Sequence, residues 1–319
     1  MPKNALVGVD IGGTKTAVLV SAGAPSVLGR IEFPTKPAKG PEPALRLIKA
    51  GIRDLMAKHR LKPTAIGVSC GGPLDHIGGI IQAPPNLPTW VDVPIKAILE
   101  GEFGVTCRVE NDANAGAVAE HRFGAGRGCR NMIFLTMGTG LGAGIITDGK
   151  LYHGANDFAG EIGHVRLTRT GPVGYHKAGS VEGWASGGGM VQVAQKAVEA
   201  ARRKNTPTLL AEILKQGKPI TARDVALAAR KGDVVASRIL RSTARRLGET
   251  LAILVDILNP ERIVIGGLAM RLGDLLLDPA RKVMQREALP YSTAVCQVVP
   301  AQLDERIGDV AALCVAMGF

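Results

Sequence analysis

The sequence predicts an α/β protein of two lobes. Three observations carry that prediction. The 319 residues amount to about two domains at ~150 residues each. Short apolar runs alternate with amphipathic stretches along the chain. Two glycine hairpins of the same design, Val9-Asp-Ile-Gly-Gly-Thr-Lys15 and Met137-Gly-Thr-Gly-Leu-Gly-Ala-Gly144, each open a new series of such units, as a weak internal repeat would.

Residues 5–20 read as strand, glycine turn, strand. Pro34, Pro37, Pro41 and Pro43 then predict a loop without regular structure. Residues 44–59 place Leu45, Ile48, Ile52, Leu55 and Met56 on one helical face, and Lys62-Pro63 closes that stretch. Residues 65–70 form a short apolar strand ending in Gly71-Gly72-Pro73, and 94–103 are amphipathic. A strand over 106–109 runs into Glu110-Asn111-Asp112, and 113–123 have helical composition. The second hairpin starts at Asn131. Helices follow over 191–204, 222–231 and 234–258, the middle one headed by a Thr221/Asp224 capping box. A strand over 262–265 ends in Gly266-Gly267, and a last helix covers 307–317.

Composition narrows the function. Hydrophobic residues make up 46% and charged ones 21%, which excludes a disordered chain. The formal charge of +11 would suit nucleic acid, a membrane surface or a phosphorylated ligand. Only 6 Phe, 3 Tyr and 2 Trp are available for base stacking. The basic runs, Arg202-Arg203-Lys204 and Arg241, Arg245, Arg246, read as solvated helix faces. No nucleic-acid partner is expected. The five cysteines are dispersed, with no C-x-x-C pair, which fits a reducing compartment. With no cleavage site after the first apolar run and no segment able to span a bilayer, the chain is expected to be cytoplasmic, without a membrane partner.

Glycine is enriched: 41 residues, about 13% against a usual ~7%. Gly-rich turns cradle phosphates because bare backbone points successive N–H groups at an anion. The turns are not a P-loop, since Gly13-Thr14-Lys15 stands where Gly-Lys-Ser/Thr is required. Neither is a dinucleotide fingerprint, because a strand rather than a helix follows Gly144. Either turn alone is equally well explained as an ordinary hairpin. Together they carry Asp10 and Lys15 on one side and Thr136 and Thr139 on the other, the acid, cation and hydroxyls that a metal-nucleotide needs.

Asp10-Ile-Gly-Gly-Thr-Lys15, Glu110-Asn-Asp-Ala-Asn114, Gly138-Thr-Gly-Leu-Gly-Ala-Gly144 and Glu161-Ile-Gly-His164 occur in the order seen in ROK-family sugar kinases. Pro85-Asn-Leu-Pro-Thr-Trp90 resembles the family's sugar loop, and Ile265-Gly-Gly267 its adenosine motif. The resemblance covers essentially the whole chain. It implies an actin/hexokinase-like (ribonuclease H-like) fold of two α/β lobes with an interdomain cleft. A small domain, 1–117, would be rejoined by the C-terminal helix 305–319, and a large domain would span 118–304. The implied reaction is ATP- and Mg²⁺-dependent phosphorylation of a hexose, glucose first, at its 6-hydroxyl. Alternatives are N-acetylhexosamine, fructose or mannose as acceptor, polyphosphate as donor, or a non-catalytic sugar-sensing regulator. ROK repressors carry an N-terminal DNA-binding domain; here the first motif begins at residue 10, so none is expected. The resemblance also implies a homo-oligomer, dimer or tetramer.

Residue by residue, the resemblance makes Asp112 the catalytic base. Local sequence also allows Asp112, Asn111 or Asn114 to be the N-cap of the helix that follows. Asp10 would hold Mg²⁺ through water, with Gly12, Gly13, Thr14 and Lys15 near the phosphates. Gly138, Thr139 and Gly140 would contact the phosphates too, and Gly266 and Gly267 the adenosine. Gly72, Asn86, Asn111, Asp112, Glu161, His164 and Glu182 would bind the sugar, acids and amides suiting a polyol. One departure stands out. The family's C-x-C-G-x-x-G-C-x-E zinc segment is here Val173-Gly-Tyr175-His-Lys-Ala-Gly-Ser180-Val-Glu182, without a thiolate. No structural zinc is expected. Loop 173–182 must be held by packing and hydrogen bonds, and Gly187-Gly188-Gly189 reads as a bend that accommodates it.

Overall fold

Strand β1 (Lys3–Ile11) turns through Gly12, Gly13 and Thr14 into β2 (Lys15–Ser21), with Asp10 opposite Ala17 in the antiparallel register. A third strand, β3 (Gly29–Pro34), extends this ribbon. The expected proline loop shrinks to a few residues. Pro34 ends β3, while Pro41 and Pro43 lie in the first turn of α1 (Pro41–His59). N–H groups in a first helical turn have no intrahelical acceptor, so proline costs nothing there. The chain continues through β4 (Leu61–Cys70), a small ribbon of β5 (Leu74–Asp75) and β6 (Ile80–Ile81), α2 (Ile95–Phe103), β7 (Thr106–Asn111) and α3 (Asp112–Phe123). This computed structural model describes residues 3–318; Met1, Pro2 and Phe319, at the ends of the expected small domain, lie outside the described residues.

The second series repeats the plan. It opens with β8 (Met132–Met137), β9 (Leu141–Thr147) and β10 (Lys150–Leu151). A short hairpin, β11 (Val173–Gly174) and β12 (Lys177–Ala178), leads to α4 (Val181–Ala185) and α5 (Gly187–Arg203). Then come α6 (Leu209–Lys215), α7 (Ala222–Arg230), α8 (Val234–Leu258), β13 (Arg262–Ile265), α9 (Leu268–Leu272), α10 (Asp274–Glu287), α11 (Pro290–Val295), β14 (Gln297–Pro300) and α12 (Ile307–Met317). The first sheet has the order β3-β2-β1-β4-β7 and the second β10-β9-β8-β13-β14. Counted from its own first strand, each reads 3-2-1-4-5. The weak repeat seen in the two glycine hairpins is a repeat of whole-sheet topology.

The chain forms two compact units. The first comprises the chain up to Gly128, Gly144–Ala159 and the chain from Gln302, so α12 belongs with β1 and β4. The second comprises Cys129–Ala143 and Gly160–Ala301. The expected boundary at 117/118 falls inside α3, all of which lies in the first unit. Each unit has its own core. Val7, Val9, Ile48, Ile52, Ile66 and Trp90 are buried in the first, and Leu135, Val198, Leu247, Leu251, Ile263 and Leu276 in the second. No helix among the described residues is long and apolar enough to cross a membrane.

Candidate active site

In the first unit the glycine turn is closed by Gly12 N–H donating to Lys15 O at 2.9 Å. Thr35, which the sequence did not single out, clamps it: its hydroxyl donates to Gly12 O at 2.6 Å and its N–H to Thr14 O at 3.0 Å. The segment 85–90 lies against this turn, for a Cβ on Gly13 would stand 2.8 Å from Asn86 Cβ. Asn86 also reaches Gly71, and a Cβ on Gly72 would stand 2.9 Å from Asn111 Nδ2. The turn, Asn86, Gly72 and Asn111 are thus brought together by the C-terminal ends of the parallel strands β1, β4 and β7.

At the end of β7, Asn111 is the N-cap of α3: its side chain accepts from Ala113 N–H at 2.9 Å and Asn114 N–H at 3.4 Å. Asp112 is therefore the first helical residue and not the cap. The residue as a whole is exposed, yet desolvation by the surrounding protein raises the pKa of its carboxyl above the usual aspartate value. Asp10, at the end of β1, lies against Gly308 in the first turn of α12. Its pKa is pushed up to about 7, first by burial, then by the negative charges of Asp112 and Asp309, with Lys15 and Arg30 opposing. Lys15 pairs with Glu32 at 3.1 Å and is mostly exposed. Asp309 is held by Arg30 Nε at 3.0 Å.

In the second unit the turn Gly138-Thr139-Gly140 is fixed by α5. The N–H groups of Gly187 and Gly188 donate to Gly138 O at 2.8 Å and Thr139 O at 3.0 Å. The triple glycine is the first turn of α5, capped by Ser186, and not the bend read from the sequence. A Cβ at Gly187 or Gly188 would stand 2.8 Å from those carbonyl oxygens, so the residues are glycine because the helix end meets the turn at backbone distance. Gly267, at φ 66°, comes equally close: a Cβ there would run into the Met137 carbonyl beside Gly138. Gly266 donates to Leu135 O at 2.9 Å.

Glu182 reaches the same turn. Its Oε2 accepts Leu141 N–H at 3.1 Å and would lie 2.6 Å from a Cβ on Gly140. The segment bearing Glu161 and His164 packs there too, Gly163 lying against Leu141 O and near Glu182 Cβ. Glu161 and His164 are both exposed.

The cysteine-free loop is built from polar contacts. Ser180, at a cysteine position of the zinc segment, caps α4 by accepting Gly183 N–H at 3.1 Å. Gln192 clasps the backbone of Val173, accepting its N–H at 2.9 Å and donating to its carbonyl at 2.8 Å. Tyr175 and His176, with φ of 37° and 64°, make the two-residue turn of the β11–β12 hairpin. Lys177 Nζ donates to His164 O at 2.8 Å, and the His164 and Tyr175 rings meet edge-on at 6.0 Å. Among the described residues no group of three or more His, Cys, Asp or Glu is arranged to hold a metal ion.

Each unit thus gathers its share of the expected residues. The first brings together the Gly12–Thr14 turn, Asn86, Gly72 and Asn111 next to Asp112, with Asp10 coupled electrostatically to Asp112. The second brings together Gly138–Gly140, Glu182, the Glu161–His164 segment and Gly267.

Residues 6–317 match the ROK family. A glucokinase of Halalkalibacterium halodurans is 37% identical over 295 residues, 89% of this chain and 86% of that protein. The structure of a ROK family glucokinase from Streptomyces griseus in complex with glucose and AMPPNP is 35% identical, with a TM-score of 0.80 over 98% of this chain and 99% of that one. A xylose repressor of Caldicellulosiruptor bescii is 29% identical over 316 residues, 98% of this chain and 77% of that protein.

Proposed function

For a chain that belongs to the ROK family, as this one does, we propose ATP-dependent phosphorylation of a hexose, glucose first, at its 6-hydroxyl, with Asp112 as general base. The observation that carries this reading is the division of labour at α3. Asn111 takes the cap, so the Asp112 carboxyl is left without that role, and burial raises its pKa. A carboxylate whose pKa is raised is a stronger base toward a hydroxyl proton.

In the proposed reaction the sugar hydroxyl gives its proton to Asp112 while its oxygen bonds to the terminal phosphorus and the bond to the leaving ADP oxygen breaks. Asn111, Asn86, Gly72, Glu161, His164 and Glu182 would hold the sugar. Gly12, Gly13, Thr14, Lys15, Gly138, Thr139 and Gly140 would hold phosphate oxygens, with Gly266 and Gly267 beside the adenosine. The glycine turns fit this role because no side chain stands between ligand and backbone N–H groups. Lys15 would exchange its exposed partner Glu32 for phosphate, an exchange of small cost at a surface ion pair.

Mg²⁺ fits the acidic side of the first unit. Burial raises the pKa of Asp10 first and repulsion by Asp112 and Asp309 adds to it, an excess of negative charge that a divalent cation relieves. Asp10 would hold the ion through water, and bound there it would neutralise phosphate charge.

A second reading, a non-catalytic sugar-sensing regulator, is favoured by the similarity to the xylose repressor over 98% of this chain. A panel of hexoses and N-acetylhexosamines with Mg-ATP or polyphosphate separates the two. Sugar-dependent loss of the donor supports the kinase. Sugar binding without turnover, together with salt-sensitive DNA binding, supports the regulator. A cytoplasmic location and a dimeric or tetrameric state complete the proposal, the latter measurable by light scattering.

A further inference from the structure

The proposed reaction gives no part to Glu110, although it stands two residues before Asp112 and is only 2% exposed. Its oxygens are divided between two tasks. Oε1 accepts the N–H of Asn111 at 2.9 Å and the side-chain amide of Asn114 at 3.0 Å. Oε2 lies 2.8 Å from Nε2 of His153, in the segment after β10. The His153 ring lies flat on that of His76, with centroids 4.2 Å apart and planes 9° apart. His76 Nδ1 in turn stands 2.7 Å from Asp157 Oδ1, whose other oxygen accepts the His76 backbone N–H at 3.1 Å. The four groups form a chain of carboxylate, imidazole, imidazole and carboxylate within the first unit.

The chemistry of this chain is that of a brace. A buried carboxylate is tolerated when donors surround it, and Glu110 has three. Two of them belong to Asn111 and Asn114, which flank Asp112. Through Oε1, one carboxylate therefore grips the start of α3 on both sides of Asp112. His153 fixes Oε2 and so the orientation of the whole carboxylate, while the His76 stack and Asp157 fix the His153 ring. Each imidazole faces its own carboxylate, and Glu110 holds the His153 pKa above its usual value.

We infer that Glu110 and His153 are positioning residues that act through Asn111 and Asn114 to present the Asp112 carboxylate. This inference rests on the reading of Asp112 as the base. Without His153, Oε2 is a buried oxygen lacking its donor, and Glu110 turns to find another. The Asn111 N–H then loses its fixed acceptor, and Asp112 moves with it. A displacement of about 1 Å at a reacting centre lowers the rate by about 10²-fold.

The experiment compares sugar-dependent ATP consumption by the full chain in wild type, His153→Ala, His153→Gln and Asp112→Asn, with thermal midpoints for each. The Gln amide still donates to Glu110; the Ala methyl does not. His153→Ala is expected to lower kcat by roughly 10- to 100-fold with KM for ATP unchanged, and His153→Gln to restore kcat to within about threefold of wild type. A purely structural role would lower the midpoint and leave the kcat of folded protein unchanged in both variants. Wild-type kcat in His153→Ala, or equal losses in Ala and Gln, overturns the inference. The control separates the two failures: turnover surviving Asp112→Asn sinks the base assignment, whereas an inactive Asp112→Asn beside a fully active His153→Ala sinks the brace alone.

Discussion

The Asn111 side chain caps the helix that Asp112 begins, accepting Ala113 N–H at 2.9 Å, so of two adjacent residues one is the cap and the other the first helical residue. Stability should divide the same way. Asn111→Ala is expected to lose about 1 kcal/mol from the cap. Asp112→Asn removes no cap and relieves repulsion on Asp10, so its stability should equal or exceed wild type. Urea unfolding of the two variants checks this; a loss near 1 kcal/mol in Asp112→Asn would return the capping role to Asp112.

Glu182 connects α4 to the second glycine turn by accepting Leu141 N–H at 3.1 Å. Glu182→Ala should therefore impair handling of both substrates, with kcat/KM for ATP and for sugar each falling about 10- to 100-fold, the value of a hydrogen bond to a charged group. Steady-state kinetics with each substrate varied in turn reads this out. An effect on sugar alone would detach Glu182 from the phosphate turn.

The Glu110–His153 pair predicts a pH-dependent stability. Its hydrogen bond to Glu110 raises the His153 pKa above the ordinary histidine value of 6.5. The stabilisation is full below about 6.5, the unfolded value, and is lost as pH rises through the higher folded value. Asp10 adds a decline of the same sign, because its raised pKa favours the folded state only while it is protonated. The difference between wild type and His153→Gln isolates the histidine. The thermal midpoint of wild type should fall more steeply than that of the variant as pH rises above about 6.5. Parallel curves would show that His153 contributes nothing by its charge.

Glu120 is fully buried on α3, and its carboxylate accepts the N–H groups of Ala125, Gln302 and Leu303 at 2.7, 3.0 and 2.8 Å. Glu120→Ala strands several donors at once and should cost about 3 kcal/mol or more. Urea denaturation tests it, and a cost under about 1 kcal/mol would mean that water replaces the carboxylate.

Much of this was legible in the chain because its signals are local. The glycine hairpins, the strand at 262–265 and the Thr221/Asp224 capping box each lie within a few neighbouring residues, and all are present. Local signals also misled. Pro41 and Pro43 punctuate a loop unless the helix starts at them, and Gly187-Gly188-Gly189 reads as a bend unless another backbone approaches. Pro279 inside α10 hid that helix, and the four residues of β14 were too few for a pattern. Asn111, Asp112 and Asn114 are all cap formers, so only the fold shows that Asn111 is the cap. Thr35 meets Gly12 across 23 positions and His153 meets Glu110 across 43, separations at which spacing carries no periodicity.

The central claim is that the Asp112 carboxylate accepts the proton of a sugar hydroxyl. It is tested most directly by glucose-dependent ADP formation from Mg-ATP in wild type and Asp112→Asn, with glucose binding to both measured by calorimetry. The predicted result is a rate lowered by about 10²–10⁴-fold in the variant while glucose binding persists. Sugar-dependent turnover at the wild-type rate in Asp112→Asn would contradict the account.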